Sequence, residues 1–262
     1  MKREIRDSRA IITGASSGIG RAIARELARQ GAAVVVTARR EERLRELLAE
    51  IESAGGKAAM VVGDVTDPNV RQAAIDCVQS RFGGLDILVN NAGVGAMGLF
   101  EDADPQRLRR IMEVNFFALV EMTRLALPLL KQGNRPILVN VSSILGHRGV
   151  PYNSEYSASK FAVQGFSEAI RTEFGLRGID VLVVSPGTTE TEFFDRVLEK
   201  TSEPAWPEHA PVTAAEVARQ TVRAIRLGRH EIVPYTWGKV LLWLNRLSPR
   251  LVDGLMTRWV RK

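Results

Sequence analysis

The sequence is poor in the residues that build disulfides and metal sites. It has a single cysteine, Cys77, so no disulfide can form within the chain and a cysteine-ligated metal is not expected. The three histidines, His147, His209 and His230, lie far apart and show no H-x-x-x-H spacing. Since protein metal sites draw on clustered cysteine and histidine ligands, the sequence predicts no metal centre.

Long apolar runs are also missing. The N-terminal stretch MKREIRDSRA is charged and lacks the apolar core of a secretory leader. Near the C-terminus, the longest uncharged apolar run, VLLWL, is far too short to cross a bilayer. These features predict a cytoplasmic protein. The 262 residues, 45% of them hydrophobic, suit one larger α/β domain or at most two small ones.

The positive charge is concentrated at one end of the chain. The net charge is +6, and residues 235–262 contain six Lys or Arg against one Asp, which leaves only +1 for the rest. A strongly basic surface attracts nucleic acid, whereas a nearly neutral one does not. We therefore expect no nucleic-acid partner for the body of the protein.

Strand and helix patterns alternate along the body. Runs such as AAVVVTA and LDILVNNAG are apolar on both faces, as buried parallel strands are. Between them, segments such as EERLRELLAEIESA place leucines at helical spacing. This alternation predicts an α/β fold, a doubly wound parallel sheet with helices on both faces. No repeat or linker interrupts it, so we expect one domain over residues 1–234, followed by a basic tail, residues 235–262.

A glycine-rich turn, TGASSGIG, lies between the predicted first strand and first helix. Gly14, Gly18 and Gly20 would let the backbone approach a pyrophosphate at the helix N-terminus, where free N–H groups and the helix dipole favour anions. A merely tight turn is the alternative, but the strand–turn–helix context favours a dinucleotide site. The other predicted contacts in this turn are Ser16, Ser17 and Ile19.

The end of the predicted second strand reads VVVTARREE. In dinucleotide-binding folds an acidic residue at this point accepts the ribose 2′-OH of NAD, whereas arginine suits the 2′-phosphate of NADP. Ala38 holds that position, and Arg39 and Arg40 follow it. The alternative is two solvated arginines before a helix whose acidic first turn suits its dipole. We favour NADP(H) as the cofactor.

A tyrosine and a lysine stand four positions apart in SEYSASKFAVQGF. Positions i and i+4 share a helix face, so Tyr156 and Lys160 would point the same way. A nearby cation favours the phenolate, which would help a tyrosine to exchange protons near neutral pH. The spacing alone is also that of an ordinary helix surface.

Seven motifs occur in order, and together they resemble the short-chain dehydrogenase/reductase family over about residues 8–234. They are TGxxxGxG at 13–20, GDV at 63–65, NNAG at 90–93, Asn115, SS at 142–143, YxxxK at 156–160 and PGTTET at 186–191. The resemblance implies a single Rossmann domain with about seven strands in the order 3-2-1-4-5-6-7. It also implies hydride transfer between a nicotinamide and a carbonyl or alcohol.

The resemblance also implies roles for individual residues. Tyr156 would be the acid/base, and Lys160 would lower its pKa and bind the nicotinamide ribose. Ser143 would bind the substrate oxygen together with Tyr156, whereas Ser142 is expected to be structural. Asn115 would hold a water that links Lys160 to solvent; without the family it is a helix-interior polar residue that needs a partner.

The remaining implied contacts are to the cofactor. Asp64 and Val65 would bind the adenine, and Asn90 is expected to brace the sheet. The adenine ribose would be lined by Asn91, Ala92 and Gly93. The nicotinamide carboxamide and the phosphates would be held by Pro186, Gly187, Thr189 and Thr191. PGTT could also be a simple turn, but its place after a predicted parallel strand favours the site.

The substrate is the least defined part. The family keeps a variable lid at about residues 190–212. Phe193, Phe194 and Trp206 there predict an apolar pocket for a lipophilic substrate, although they could simply hold the lid down. Two further side chains could face the substrate or be structural, His147 and Tyr152.

The tail carries an apolar stripe among basic residues. The stripe is formed by Leu251, Val252, Leu255, Met256, Trp259 and Val260, and the stretch GKVLLWLNRL precedes it. Cationic charge beside Trp and Leu is typical of a helix in a membrane interface. Packing on the body or on a partner subunit is the alternative. The protein is thus expected in the cytoplasm, with possible contact to the inner face of a membrane.

We predict an NADP(H)-dependent oxidoreductase acting on a carbonyl or secondary alcohol. A non-catalytic dinucleotide sensor or scaffold on the same fold is the alternative. The resemblance also implies a homodimer or homotetramer. Leu119, Met122 and Leu125 could serve that contact or face their own sheet.

Overall fold

The computed structural model describes residues 2–193, 197–201 and 210–260. Its strands are β1 (Arg9–Thr13), β2 (Ala33–Ala38), β3 (Lys57–Val62), β4 (Ile87–Asn90), β5 (Ile137–Val141), β6 (Asp180–Val184), β7 (Thr189–Glu190), β8 (Val212–Thr213) and β9 (Glu231–Ile232). Its α-helices are α1 (Gly18–Arg29), α2 (Glu41–Ser53), α3 (Pro68–Phe82), α4 (Arg107–Met112), α5 (Ala118–Leu130), α6 (Ser154–Gly175), α7 (Ala214–Leu227), α8 (Thr236–Leu247) and α9 (Pro249–Val260).

Seven strands form one parallel sheet in the order β3-β2-β1-β4-β5-β6-β9. This confirms the predicted Rossmann-type fold and strand order. The last strand is β9 because a separate two-stranded piece, β7–β8, intervenes in the chain. The strand order reverses between β1 and β4. In such sheets ligands bind in the crevice at the carboxyl ends of the strands beside the reversal.

The sheet is buried on both faces. Along β1 the neighbours Ile11 and Ile12 point to opposite sides, and both are completely buried. Ile12 belongs to a core with Leu27 and Val222, from α1 and α7. Ile11 belongs to a second core with Met122, from α5. Each fully buried isoleucine contributes about 1.5–3 kcal/mol. Two apolar layers therefore hold the strand ends in fixed positions.

The candidates for a subunit contact on α5 belong to this packing. Leu119 and Met122 are buried, and the partly buried Leu125 packs against the second core. Exposed apolar side chains lie instead on α4, in the segment Glu113–Phe117 and on α6. They are Leu108, Phe117 and Phe161. Of the two alternatives for Leu119, Met122 and Leu125, the structure therefore favours packing within the chain.

The apolar residues of segment 105–131 recur at helical spacing, which predicts one long helix, but the helix is interrupted in the structure. Between α4 and α5 the residues Glu113–Phe117 form a π-helix, with Asn115 at its centre. Single π-helical turns inside helices often mark functional sites. The sequence pattern did not reveal this turn because apolar residues continue at helical spacing through it.

The tail folds as α8 and α9 and rests partly on the body. A Cβ on Gly238 would lie 2.8 Å from Cγ2 of Ile144, so α8 approaches the body closely. Arg148 donates hydrogen bonds to Asn245 at 3.2 Å and to Asp253. These contacts show that residues 235–260 are not a free arm.

The predicted apolar stripe of the tail is divided. Val252 and Met256 are buried, whereas Leu251 and Leu255 are exposed. Packing within the chain therefore explains the apolar residues on one side of α9, whereas those on the other side are exposed to solvent. The side chains of Trp259 and Val260 lie outside the described residues. Within the ranges that the structure covers, no helix is long and apolar enough to cross a membrane.

Candidate active site

A cavity of about 510 Å³ opens at the carboxyl ends of the central strands. Most of the predicted cofactor contacts line it, from the five loops that follow β1, β2, β3, β4 and β6. They are Gly14, Ser16, Ser17, Gly18, Ile19, Arg39, Arg40, Asp64, Val65, Asn91, Ala92, Gly93, Pro186, Gly187, Thr189 and Thr191. Ser143, Tyr156 and Lys160 also line it. The fold therefore brings residues from across the sequence to one crevice.

The glycine turn is packed against the loop that follows β4. A Cβ on Gly14, whose φ is +67°, would lie 2.8 Å from Cα of Ala92. The side-chain amide of Asn91 donates to the carbonyl oxygens of Thr13 and Gly14, at 2.9 and 3.2 Å. Only a residue without a side chain fits at Gly14, so this turn keeps its backbone exposed to the cavity.

Gly20 does not line the cavity. A Cβ there would lie 2.3 Å from Nδ2 of Asn91 and 2.6 Å from the carbonyl oxygen of Gly14. Gly20 therefore has a packing role, because this glycine lets α1 approach the β4 loop, and its predicted contact with the cofactor stays a prediction.

The N-terminus of α1 faces the crevice with donors available. Ser17 is the N-cap residue, and its side chain makes no capping hydrogen bond. Arg40 donates to Oγ of Ser16 at 3.1 Å and to Oγ of Ser17 at 2.6 Å, and it pairs with Glu192 at 2.8 Å. Helix N–H groups, hydroxyls and a guanidinium suit a pyrophosphate. The residues present therefore fit a dinucleotide.

Arg39 lies at the opposite rim, next to the loop after β3. Its side chain is 69% exposed, and Nη1 lies 3.6 Å from Oδ2 of Asp64. The other oxygen of Asp64 accepts hydrogen bonds from the backbone and hydroxyl of Thr66, at 3.0 and 2.9 Å. The carboxylate is thus held by its own loop. Ala38 offers no carboxylate at the ribose position.

Tyr156 stands at the deep end of the cavity. Burial raises the pKa of its phenol to about 12, although a hydrogen bond with Ser143 lowers it. The Ser143 hydroxyl also accepts a hydrogen bond from the backbone of Leu145 at 3.1 Å, which fixes its position. A neutral phenol and a serine hydroxyl therefore face the cavity together.

Lys160 lies below the phenol ring. Its Nζ is 5.7 Å from the centroid of the Tyr156 ring and donates a hydrogen bond of 2.9 Å to the carbonyl oxygen of Val141. Burial lowers the pKa of this ammonium to about 8. The expected lowering of the Tyr156 pKa is not found in this structure, because burial disfavours the phenolate and outweighs other influences.

Asn115 supports the site from behind without lining the cavity. Its side chain accepts a hydrogen bond from the backbone of Val94 at 2.8 Å and donates to the Val94 carbonyl at 2.9 Å. It also donates to Oγ of Ser159 at 2.9 Å, and Ser159 donates to the Tyr156 carbonyl at 2.7 Å. Its amide thus ties the β4 loop to the tyrosine helix. A water relay through Asn115 stays a prediction.

Ser159 was missed by sequence reasoning. The only signal was a small polar residue inside the YxxxK motif, three positions after Tyr156 and directly before Lys160. Ser142 was expected to be structural and Asn90 to brace the sheet, and their hydrogen bonds agree with these roles. Ser142 donates to the Lys160 carbonyl at 3.2 Å, and Asn90 donates to Thr123 at 3.0 Å.

His147 and Tyr152 are not among the residues that line the cavity. Nε2 of His147 lies 2.8 Å from Oε1 of Glu231 and 3.0 Å from Oγ of Ser185. Burial acts to raise the pKa of Glu231, yet it is lowered overall, because His147 and other donors stabilise the carboxylate. His147 therefore joins β6 to β9, a structural role.

Phe193 closes the substrate end of the cavity. Its ring centroid lies 5.7 Å from that of Tyr156. Ile144 and Leu145 also line the cavity, so the wall beyond the phenol is apolar. The other two aromatic candidates, Phe194 and Trp206, lie outside the described residues.

A doubly wound parallel sheet with a dinucleotide crevice where the strand order reverses, and with a serine, a tyrosine and a lysine lining that crevice, is typical of nicotinamide-type oxidoreductases. The model of the short chain dehydrogenase family matches residues 8–202. The chain therefore belongs to the short-chain dehydrogenase/reductase family, and its homologues are dehydrogenases and reductases.

Two relatives illustrate the range of similarity. The 11-beta-hydroxysteroid dehydrogenase A of Sesamum indicum is 35% identical over 254 residues, which cover 93% of this chain and 72% of the relative. The 3-ketodihydrosphingosine reductase of Bacteroides thetaiotaomicron is 40% identical over 186 residues, which cover 71% of this chain and 65% of the relative.

Solved structures give the same result. A short-chain dehydrogenase/reductase from Burkholderia phymatum in complex with NAD superimposes with a TM-score of 0.86 at 25% identity, covering 95% of this chain and 96% of that one. A short-chain dehydrogenase from Burkholderia cenocepacia in complex with NADP gives 0.78 at 30% identity, covering 88% and 97%. Both dinucleotides thus occur among similar structures.

Proposed function

We propose that this protein is an NADP(H)-dependent reductase of a carbonyl compound, or a dehydrogenase of the corresponding alcohol, with Tyr156 as the acid/base. The observation that carries this proposal is the position of the Tyr156 phenol. The residue is partly buried, its phenol interacts with Ser143, and it lines the cavity that also contains the dinucleotide crevice. When bound, the cofactor supplies the hydride.

The protein residues handle the substrate oxygen and its proton. Ser143 and Tyr156 donate hydrogen bonds to the carbonyl oxygen, which orients the substrate. As negative charge develops on that oxygen, Tyr156 transfers its proton to it. Lys160 stabilises the phenolate left behind, because its ammonium lies close to the ring in a site shielded from water.

The preference for NADP(H) rests on the rim of the crevice. Ala38 cannot accept the 2′-OH of NAD through a carboxylate, and the next two residues, Arg39 and Arg40, supply positive charge to the cavity. Arg40 is engaged by Ser16 and Glu192 in this structure. Arg39 reaches only a carboxylate 3.6 Å away, so we infer that Arg39 turns toward a 2′-phosphate.

Turnover tests this function directly. NADPH absorbance should fall with at least some members of a panel of aldehydes, ketones, ketosteroids and long-chain 3-keto compounds. Tight binding of NADPH without turnover across the panel would instead support the non-catalytic sensor or scaffold.

We also propose that the substrate is lipophilic. The cavity wall beyond Tyr156 contains Phe193, Ile144 and Leu145. The two relatives named above are called a steroid dehydrogenase and a ketosphingosine reductase, and both names denote lipid substrates. The panel should therefore favour long-chain or polycyclic ketones over short ones of the same reactivity.

The exposed face of the tail supports contact with a membrane surface. On α8, Val240, Trp243 and Leu247 share one helix face, and Trp243 and Leu247 are 61% and 65% exposed. Leu251 and Leu255 continue the apolar exposure on α9. The basic residues beside them are Lys239, Arg246, Arg250 and Arg258. Each basic residue near an anionic bilayer contributes about 1 kcal/mol, so we propose peripheral binding to anionic lipid.

Vesicle co-sedimentation tests this contact with the full-length chain. The double variant Trp243→Ser/Leu247→Ser should lose binding to vesicles containing phosphatidylserine. Leu176→Ser is the control, because Leu176 is 89% exposed at the far end of α6. Equal sedimentation of both variants, or none by the unmodified protein, would show that the tail does not bind membranes.

A homo-oligomer remains part of the proposal. The exposed Leu108, Phe117 and Phe161 lie on α4, the π-helical turn and α6, where a second copy could cover them. Sedimentation at micromolar concentration should show a dimer or tetramer. A monomer alone would remove the idea.

A further inference from the structure

We infer that Arg107 is a positioning residue that fastens residues 197–201, which belong to the predicted substrate lid, to the helix that carries Tyr156. Arg107 is the first residue of α4 and is only 1% exposed. Its Nε donates to a carboxylate oxygen of Glu155, the residue directly before Tyr156. Its Nη1 donates to Oε1 of Glu199 at 2.9 Å. One guanidinium therefore joins two elements that border the site.

The chemistry of this cluster requires arginine. A buried cation needs carboxylate partners, because the loss of hydration is otherwise uncompensated. The planar guanidinium has several donors in a fixed fork, so it can serve Glu155 and Glu199 at once, whereas lysine offers a single point charge. The cluster has two carboxylates and one cation. Removing the charge of Glu199 would leave a balanced pair, Arg107 with Glu155.

Glu199 belongs to a short segment, residues 197–201, that runs beside the loop after β4. The backbone N–H of Leu198 donates to Gly95 at 2.7 Å, and that of Thr201 donates to Met97 at 2.9 Å. In return, the N–H of Met97 donates to the carbonyl of Glu199 at 2.8 Å. The main chain of this segment is thus paired with the loop, and the Glu199 side chain is paired with Arg107.

The loop after β4 also lies close to Phe193 and Val197. A Cβ on Gly95 would lie 3.0 Å from the ring of Phe193 and 3.3 Å from Val197. Phe193 in turn packs against the Tyr156 ring. Residues 193 and 197–201 therefore rest on one short stretch that borders the cavity. We infer that Arg107 sets the shape of the substrate end of the site through Glu199.

The variant Glu199→Gln tests this role. The backbone amides of Met97, Leu198 and Thr201 should exchange with deuterium faster by about ten- to a hundred-fold, the factor for losing one charge-assisted hydrogen bond. Glu26→Gln is the control, because it removes the same charge from an ion pair with Arg29 on α1, away from the cavity. It should leave these amides unchanged.

Kinetics give a second measurement, which rests on the proposed function. Glu199→Gln should raise KM for a long-chain ketone several-fold, while kcat for a short-chain ketone and the Kd of NADPH stay close to those of the unmodified protein. A purely structural ion pair would instead lower Tm and change both substrates alike. The variant Arg107→Lys keeps the positive charge but loses the forked guanidinium donors. It should therefore show the same faster amide exchange as Glu199→Gln.

The outcomes separate the two ideas. Unchanged exchange at Met97, Leu198 and Thr201 in both Glu199→Gln and Arg107→Lys would overturn the role of Arg107. Faster exchange in a protein that reduces no carbonyl would uphold that role and reject the reductase function. Equal effects of Glu199→Gln and the Glu26→Gln control would also overturn it.

Discussion

Replacing Tyr156 by phenylalanine removes one hydroxyl from the centre of the site and little else. The ring keeps its packing against Phe193, and Ser143 keeps its hydrogen bond from the backbone of Leu145. The lost hydrogen bond contributes about 0.5–1.5 kcal/mol to stability, and the fold should tolerate its loss. The cofactor crevice is formed by other loops, so NADPH should bind with unchanged Kd.

The effect on catalysis should be much larger. Because burial raises the pKa of the phenol to about 12, the group is fully protonated at neutral pH and is available as an acid. General acid catalysis commonly contributes about 10²–10⁴-fold, so kcat for carbonyl reduction should fall by that factor. This corresponds to about 3–5 kcal/mol in the activation free energy, well above the expected loss of stability.

The assay measures kcat by NADPH absorbance, NADPH affinity by fluorescence, and Tm on the same samples. Tyr152→Phe is the matched control, since it makes the same change four residues earlier, in a residue that does not line the cavity. It should keep full activity. Near-normal turnover by Tyr156→Phe, or equal losses in both variants, would refute the assignment of Tyr156 as the acid.

Two further results are expected. Burial lowers the pKa of Lys160 to about 8, so the ammonium loses its proton as the pH rises through 8. The value of kcat/KM for NADPH should therefore fall over that pH range. A pH profile that stays flat well above pH 8 would contradict the role of Lys160. The unmodified protein should prefer NADPH over NADH by about one to two decades in kcat/KM, the contribution of one charge-assisted hydrogen bond. The variant Arg39→Asp should erode or reverse this preference, whereas the control Arg45→Asp should leave it unchanged. Equal kcat/KM for NADPH and NADH in the unmodified protein would contradict the role of Arg39.

Local sequence signals predicted the glycine turn, the layers of strands and helices, and the Tyr156–Lys160 pair. The glycine turn is recognisable because Gly14 and Gly20 have no room for a Cβ, a constraint that acts within a few residues and on one neighbouring loop. The alternation of apolar strands and amphipathic helices predicted the layers, because the central strands β1, β2, β4, β5 and β6 are buried on both faces. Tyr156 and Lys160 share a helix face for the same local reason.

The parts that could not be predicted depend on distant contacts. Arg107 and Glu199 are 92 positions apart, and charged residues in such segments are ordinarily expected at the surface. Asn115, in the π-helical turn, forms hydrogen bonds with Val94, 21 positions earlier, and no periodicity reveals such a contact. The direction of the Tyr156 pKa shift follows from how deeply the finished fold buries the phenol.

Burial moves both members of the Tyr156–Lys160 pair toward their neutral forms, since it disfavours charge on either group. The phenol thereby keeps its proton at neutral pH, which is the state that carbonyl reduction consumes. Alcohol oxidation needs the phenolate instead, and forming it here requires extra positive charge in the cavity. The Lys160 ammonium, still protonated below its pKa of about 8, is one source of that charge within the protein.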